Sequence, residues 1–455
     1  METVKITERL VTFIRKTHYG DVSEIVLSEA KKCILDGVGV TLAGSRHEAV
    51  NVIKNYVSEI GGKAQATTIG MDPVRTSVVH AALINGVASH VLDFDDTQNI
   101  LGGHPTAVIL PVVLAVGEYK RANGKDLLTA FILGTEVSCK IARGVNPYHY
   151  QSGYHVTSTI GIFGAVASAG KLLDLSQEDF LSAFGIAGSM SSGLKENFGT
   201  MTKSLHVGLA ASNGTMAALL AQKGYTASDK ILEGELGFGK VLSKDCQFEK
   251  IIENLGTPWE IERPGIARKR YPSCARTHSA IDALLKIMDH HRIRDEDLEE
   301  IECATDDKAF EILIHPTPKT PLEAKFSMPY CLSVAFLEGD VFINHFTKEK
   351  LEDPRILRMM KKIRHVSDSE IAARGFEYRW ASRVKVKLKD GREWCETVEK
   401  GKGDPQNPLS DEEMIGKFHH CAAGILDDAK IDSVVNRMDH LENEKDITRL
   451  IAGLK

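Results

Sequence analysis

The segment RVKVKLKDGREWCETVE, residues 383–399, has the clearest strand pattern in the chain. Val384, Val386 and Leu388 alternate with basic residues, and a period of two is typical of a strand with one buried face. The dipeptide Asp390-Gly391 follows, and it favours a tight hairpin turn because its backbone adopts positive φ angles. The sequence therefore predicts a β-hairpin whose sheet has one buried and one solvated face.

This hairpin lies in a middle segment that mixes strand and helix periodicities. EEIECATDD (299–307) has the composition of a strand, and it follows apolar residues at the spacing of one helix face: Ile281, Leu284, Leu285 and Met288. The pattern changes at Pro264-Gly265, and GKGDPQNP (401–408) has the composition of a connection. We predict an α+β lid domain over residues 266–405.

The rest of the chain has a helical pattern, with strand-like alternation nearly absent. Stripes of apolar residues recur at helical spacing: Ile25, Leu27, Ala30, Ile34 and Val38, then Leu127, Leu128, Phe131 and Ile132, and finally Phe418, Ala422, Ile425 and Leu426. A chain of 455 residues exceeds the roughly 250 to 300 at which one core stops growing. The sequence predicts a mainly α protein, with a large helical domain from residues 1–265 and 406–455.

Composition excludes several classes of protein. A net charge of -6 and an aromatic content of 6% argue against a nucleic-acid partner. The eight cysteines are scattered without a C-x-x-C pair, which suits a reducing compartment and disfavours zinc and iron–sulfur sites. We expect neither a metal nor a cofactor. The N-terminus lacks a secretory pattern, and the run Ala107–Gly117 is too short to cross a bilayer. We expect a cytoplasmic protein without a membrane span.

The first segment with chemical potential is HVLDFDDTQNILGGHPTAVILP, residues 90–111. It gathers Asp93, Asp95, Asp96, Thr97 and His104 between two apolar stretches. Carboxylates this close repel one another when all are ionised, so a functional cluster is one interpretation. The alternative is that one aspartate caps a helix while the others are solvated.

Two further segments place histidines beside helix starts. His155 precedes VTSTIGIFGAVASAGK, where free backbone N–H groups of a helix end attract a carboxylate. In GTMTKSLHVGLAASNG, Lys203 and His206 are three residues apart and share a helix face, so together they could grip a carboxylate. The alternatives are a structural histidine and a solvated surface lysine.

The segment RKRYPSCARTHSAIDALLKI, residues 268–287, predicts a helix start with Thr277 or Ser279 as its cap. His278 at such a positive end favours the neutral imidazole, which can act as a base, although a histidine without a role fits the same spacing. Cys274 is interpreted as a small buried residue. Tyr330 in EAKFSMPYCLSVAF is a candidate proton donor or oxyanion ligand, or else a packing residue.

In their order and spacing, DFDDT followed by GHP, TKSLHVG with the later LEGELGFG, and KRYPSCARTH resemble the MmgE/PrpD family. That family includes 2-methylcitrate dehydratase, cis-aconitate decarboxylase and iminodisuccinate epimerase. The resemblance implies a homodimer with the site between a helical domain and a lid. Its decarboxylase-like pattern implies catalytic or binding roles for Asp93, Thr97, His104, His155, Lys203, His278 and Tyr330. We expect His206, which lies beside Lys203, to have a supporting role. The linker QNILGG departs from the family by lacking a histidine.

We therefore expect a metal-independent lyase that dehydrates a 2-methylcitrate-like or citrate-like hydroxy acid. In this hypothesis Lys203 and His104 bind substrate carboxylates, with help from Thr97 and His206, while His155 and His278 exchange protons. The alternatives within the family are decarboxylation of a cis-aconitate-like acid and epimerisation of an iminodisuccinate-like one.

Two interpretations from other classes stay open at this point. The run from Asp93 to Thr97 also matches the D-x-D-D-T acid motif of class II terpene cyclases, but those sites need aromatic walls that this composition hardly provides. The chain could also keep the fold as a non-catalytic interaction protein. The polar residues retained in every motif argue against that interpretation.

Overall fold

The computed structural model describes residues 5–375 and 378–455, which divide into two compact units. Unit 1 comprises Met1–Val91, Asp95–Ala267 and Ser410–Lys455. Unit 2 comprises Leu92–Phe94 and Arg268–Leu409. Unit 1 therefore draws on both ends of the chain, whereas unit 2 consists mainly of its middle.

Unit 1 is helical apart from a short antiparallel pair, β1 (Ala66–Thr67) and β2 (Arg75–Thr76). Its helices before the middle segment are α1 (Ile6–Lys16), α2 (Glu24–Gly44), α3 (Glu48–Ile60), α4 (Val78–His90), α5 (Pro105–Lys120), α6 (Gly124–Val145), α7 (Tyr148–Gln151), α8 (Val156–Thr159), α9 (Gly161–Leu173), α10 (Gln177–Met190), α11 (Met201–Ala221), α12 (Phe238–Leu242) and α13 (Phe248–Ile252). After it come α20 (Asp411–Ala422), α21 (Asp428–Asp439) and α22 (Thr448–Ala452).

The apolar stripes of unit 1 build one continuous core. The predicted stripe of α2 is buried except for Ile25, which is 63% exposed, so including Ile25 in that stripe was wrong. Ile25 is the second residue of α2, before the helix turns its apolar face to the core. The stretch Val156–Leu173 is apolar enough to cross a bilayer by length and composition, but 94% of it is buried within the protein. It has the character of a core helix.

Helices α4 and α11 approach each other through glycines. A Cβ atom on Gly208 would lie 2.6 Å from the carbonyl oxygen of Leu83, and one on Gly86 would lie 2.7 Å from the Cα of Gly208. Real side chains do not tolerate such distances, so only glycine permits this packing. The close approach brings the last turn of α4 beside the first turns of α11.

Unit 2 contains a four-stranded mixed sheet and six helices among the described residues. The strands are β3 (Leu298–Thr305), β4 (Ile363–Ser367), β5 (Ser382–Leu388) and β6 (Glu393–Val398), in the order β4-β3-β5-β6. Strands β3 and β4 are parallel, and the other pairs are antiparallel. The helices are α14 (His278–His290), α15 (Pro321–Ala324), α16 (Met328–Glu338), α17 (Lys348–Leu351), α18 (Pro354–Met360) and α19 (Ser369–Ala373).

The predicted hairpin is formed by β5 and β6. Burial alternates strictly along β5, with Val384, Val386 and Leu388 inside. Gly391 adopts a φ of +90°, which the turn requires and which side chains other than glycine rarely adopt. The predictions of this hairpin, of the strand at 299–307 and of a mainly α protein with a smaller α+β part are confirmed.

Candidate active site

Four histidines and one lysine of unit 1 are collected at the ends of helices. His90 is the last residue of α4, and His104 directly precedes α5. His155 directly precedes α8, while Lys203 and His206 lie on the first two turns of α11. Each side chain is therefore held by a rigid element at a point where the chain direction changes.

One carboxylate oxygen of Asp95 contacts two of these histidines. Its Oδ2 atom lies 2.8 Å from Nδ1 of His90 and 2.9 Å from Nδ1 of His104. The two imidazole rings meet edge to face, with centroids 4.5 Å apart. Burial by itself would raise the pKa of Asp95, but His104 and His90 outweigh it and hold that pKa below its usual range. Asp95 is therefore ionised at neutral pH.

His155 and His206 form a second pair, with their Nδ1 atoms 3.1 Å apart. One of these nitrogens must donate and the other accept, so at least one of the two rings is neutral. The ring of Phe198 lies edge-on to His155 at 5.0 Å, and Nζ of Lys203 lies 5.4 Å from the centre of the same ring. Among the described residues, Nε2 of His155 is buried without a hydrogen-bond partner.

The pKa values of three of these four site histidines are lowered. Burial is the largest cause for each, and the charge of Lys203 acts in the same direction. The pKa of His90 falls to about 3, that of His155 lies well below its usual value, and that of His206 is also lowered. These imidazoles are therefore neutral at neutral pH and can accept protons.

Asp96 supports the segment that precedes α5. Its carboxylate accepts hydrogen bonds from the backbone N–H of Thr106 at 3.3 Å and from the Thr106 hydroxyl. Burial raises the pKa of Asp96 to about 7 despite those bonds, and Asp36 and Asp95 act in the same direction. Thr97 pairs through its backbone with Ala267. Both residues hold the loop on which Asp95 and His104 lie.

Two other predicted residues, Asp93 and His278, belong to unit 2. Asp93 adopts a φ of +51°, and its Oδ2 atom lies 3.0 Å from Nζ of Lys269, which also donates to the Asp93 carbonyl at 2.8 Å. His278 is the first residue of α14, with Nε2 3.2 Å from the carbonyl oxygen of Ser273 and its ring edge-on to Tyr271. Their proposed roles stay predictions.

Tyr330 is fully buried within unit 2, and its hydroxyl donates to the carbonyl of His345 at 2.5 Å. Burial raises the pKa of that hydroxyl above its usual value. Because its one proton is already engaged in the core, we leave Tyr330 out of the proposed site. Thr277 is the N-cap residue of α14, as predicted, but its hydroxyl donates to the carbonyl of Cys274 and does not cap the helix. Ser279 lies inside the helix, and its hydroxyl donates to the carbonyl of Trp380.

Comparison with known proteins now adds to this geometry. The model of the MmgE/PrpD N-terminal domain matches residues 8–251, and that of the MmgE/PrpD C-terminal domain matches residues 271–441. The chain belongs to the MmgE/PrpD family.

The relatives within this family include two kinds of lyase. The cis-aconitate decarboxylase of Homo sapiens is 28% identical to this chain, over 99% of this chain and 94% of the relative. The cis-aconitate decarboxylase of Aspergillus terreus is 25% identical over 95% and 92%. The mitochondrial 2-methylcitrate dehydratase of Yarrowia lipolytica is 23% identical over 86% and 78%. Together they support a lyase that acts on a dicarboxylate or tricarboxylate.

Within this MmgE/PrpD chain, sequence reasoning overlooked His90. It lies at the start of the segment that was singled out, directly after an apolar helix, and its spacing from the aspartates carried no distinctive signal. The shared contact of Asp95 was overlooked for the same reason. Two imidazoles and a carboxylate are also ligand types that bind divalent transition metals, so the expected absence of a metal stays a prediction.

Proposed function

We propose that this MmgE/PrpD protein decarboxylates cis-aconitate or a closely related unsaturated tricarboxylate. The observation that carries the proposal is the grouping of Lys203 with three histidines: His155, His206 and His104. The last of these contacts Asp95 through Nδ1. This group offers one cation for a carboxylate and several imidazoles for a proton. The cis-aconitate decarboxylases, at 25–28% identity over nearly the whole chain, favour this activity over the dehydration expected from sequence.

The binding step uses Lys203 and His155. The Lys203 ammonium pairs with a substrate carboxylate in a buried setting, where such a charge-assisted bond is strong. When Nδ1 of His206 is the donor in its bond with His155, His155 carries its own proton on Nε2 and can donate to a second carboxylate oxygen. The site thereby fixes the plane of the unsaturated acid.

The chemical step breaks the bond between a carboxylate carbon and its neighbour. The electron pair of that bond moves into the adjacent double bond and carboxylate, giving an extended enolate that Lys203 stabilises, and carbon dioxide leaves. His104 then delivers a proton from Nε2 to carbon, while Asp95 stabilises the imidazolium form of His104. Each turnover consumes one proton and releases one carbon dioxide.

Dehydration is the second candidate, and the relationship to 2-methylcitrate dehydratase supports it. Loss of water needs a base for a carbon-bound proton and an acid for the leaving hydroxyl. The neutral imidazoles of this site are suited to the first task. Because both reactions pass through an enolate, the same residues serve either one, and the substrate decides between them.

The test is to incubate the protein in heavy water with cis-aconitate, 2-methylcitrate, citrate and iminodisuccinate, following each acid by proton NMR. Decarboxylation predicts loss of carbon dioxide and one new carbon-bound deuterium from cis-aconitate. Formation of an unsaturated acid from 2-methylcitrate or citrate would instead indicate that the protein is a dehydratase. Deuterium uptake by iminodisuccinate without net change would indicate epimerisation. The variant His155→Gln should lose turnover, whereas His440→Gln, which alters an exposed histidine of α21's C-cap, should not.

A further inference from the structure

The geometry of Asp95 restricts the protonation of both histidines that it contacts. An ionised carboxylate oxygen accepts hydrogen bonds and cannot donate them. Nδ1 of His90 and Nδ1 of His104 both lie within hydrogen-bonding distance of Oδ2. For each ring, the tautomer with the proton on Nδ1 is therefore more stable than the tautomer with the proton on Nε2. Each neutral ring then has its lone pair on Nε2.

The two histidines differ in their access to solvent. The side chain of His104 is 12% exposed, whereas that of His90 is completely buried. A substrate can therefore reach His104 but not His90 without a rearrangement of unit 1. His90 instead lies between two other rings of the site, with centroids 4.5 Å from His104 and 5.7 Å from His155.

We propose that Asp95 and His90 are positioning residues for His104. Asp95 fixes the Nδ1–H tautomer of His104 and so presents Nε2 to the substrate. His90 supplies a second donor to the same oxygen, and this contact keeps the buried carboxylate from rotating. The ring of His90 also packs edge to face against the ring of His104. This inference rests on the proposed function, because it assigns His104 as the group that transfers the proton.

The variant Asp95→Asn tests the tautomer directly. An asparagine keeps the size of the side chain but removes the negative charge. Because both rings contact the same oxygen, an amide oxygen in that place would accept more weakly from both Nδ1–H groups, whereas an NH₂ group in that place would force both rings into the Nε2–H form. Loss of the correct tautomer in a histidine–aspartate pair costs up to about 10⁴-fold in kcat in serine proteases. We expect kcat to fall by at least about 100-fold, with KM changed less than about threefold, because the residues that bind carboxylates are untouched.

The histidine partner is tested with two variants. His90→Leu removes the donor to Asp95, whereas His90→Asn places an amide N–H close to where Nδ1 of His90 lies. We expect kcat to fall at least about tenfold in the leucine variant and to recover in part in the asparagine variant. A residue that only fills space would give the opposite order, since leucine fills the buried volume better than asparagine does.

A measurement without substrate separates this inference from the proposed function. In ¹⁵N-labelled protein, proton–nitrogen correlation spectra distinguish Nδ1–H from Nε2–H imidazoles, and Asp95→Asn and His90→Asn identify the two signals. We expect Nδ1–H rings for His90 and His104 in the wild type and a smaller Nδ1–H population in Asp95→Asn. An Nε2–H tautomer of wild-type His104, or a stoichiometric metal bound by this cluster, would overturn the inference. Absence of turnover with every acid would overturn the proposed function alone.

Discussion

Replacing Lys203 with methionine removes the cation of the unit 1 site while keeping a side chain of similar length. Lys203 lies on the first turn of α11 and is 7% exposed, so water cannot readily take over its role. Its charge also lowers the pKa values of neighbouring His155 and His206, after burial, which is the larger cause. The substitution therefore changes substrate binding and histidine protonation together.

The size of the effect follows from the contact that is lost. A hydrogen bond between charged groups contributes about 1.5 to 3 kcal/mol. At about 1.4 kcal/mol per factor of ten, kcat/KM should fall by about 10- to 150-fold. Most of the loss should appear in KM if Lys203 mainly binds a carboxylate, and in kcat if it mainly stabilises the enolate. The pKa values of His155 and His206 should rise towards their usual range.

The assay is steady-state release of carbon dioxide from cis-aconitate, together with NMR titration of the histidine ring protons. Lys223→Met serves as the matched control, since Lys223 follows the end of the same helix and is exposed. The control should retain wild-type kinetics. A decrease of kcat/KM smaller than about threefold in Lys203→Met, with unchanged titration of His155, would refute the role given to this lysine.

Three further predictions concern other residues and the expected absence of a metal. The sequence predicts that His278 exchanges a proton, so His278→Ala should reduce turnover strongly, measured beside His440→Gln; unchanged turnover would remove this predicted role. Burial raises the pKa of Asp96 in the folded state to about 7, so its contribution to stability is present below the unfolded pKa near 4 and is lost as pH rises towards 7. The free energy of unfolding, measured with urea, should therefore fall less between pH 4 and 8 in Asp96→Asn than in the wild type. The difference should reach up to about 4 kcal/mol, at 1.36 kcal/mol per pKa unit. Equal losses in the two proteins would contradict the raised pKa of Asp96. Dialysis against a chelator should leave turnover unchanged, and activity that is lost and then restored by a divalent metal would contradict the expectation of a metal-independent site.

The fold class could be predicted from sequence because its signals are local. Alternation in β5 and the Asp390-Gly391 turn specify a hairpin over a few residues, and the structure follows them closely. The stripe of α2 identified its buried face correctly, with an error only at Ile25 in the first turn. Periodicity identifies a buried face reliably in the middle of a helix but less well at its ends, where the chain leaves the core.

The site could be predicted only in part, because its contacts join distant segments. Lys203 and His206 share a helix face by spacing alone, as expected. The pairing of His155 with His206 spans 51 residues and depends on how the helices pack. Asp93 contacts Lys269, and Asp95 contacts two histidines. These partners come from other segments of the chain, so only the tertiary structure reveals them.

The charge balance of the unit 1 site is compatible with the decarboxylation that we propose. The described residues of this site include the cation Lys203, the ionised carboxylate Asp95 and histidines whose pKa values are lowered by burial. A tricarboxylate brings three negative charges, which oppose that lowering and favour proton uptake by the imidazoles. Decarboxylation consumes one proton per turnover, whereas dehydration returns every proton that it takes. Proton uptake on substrate binding would supply the proton that the proposed decarboxylation consumes.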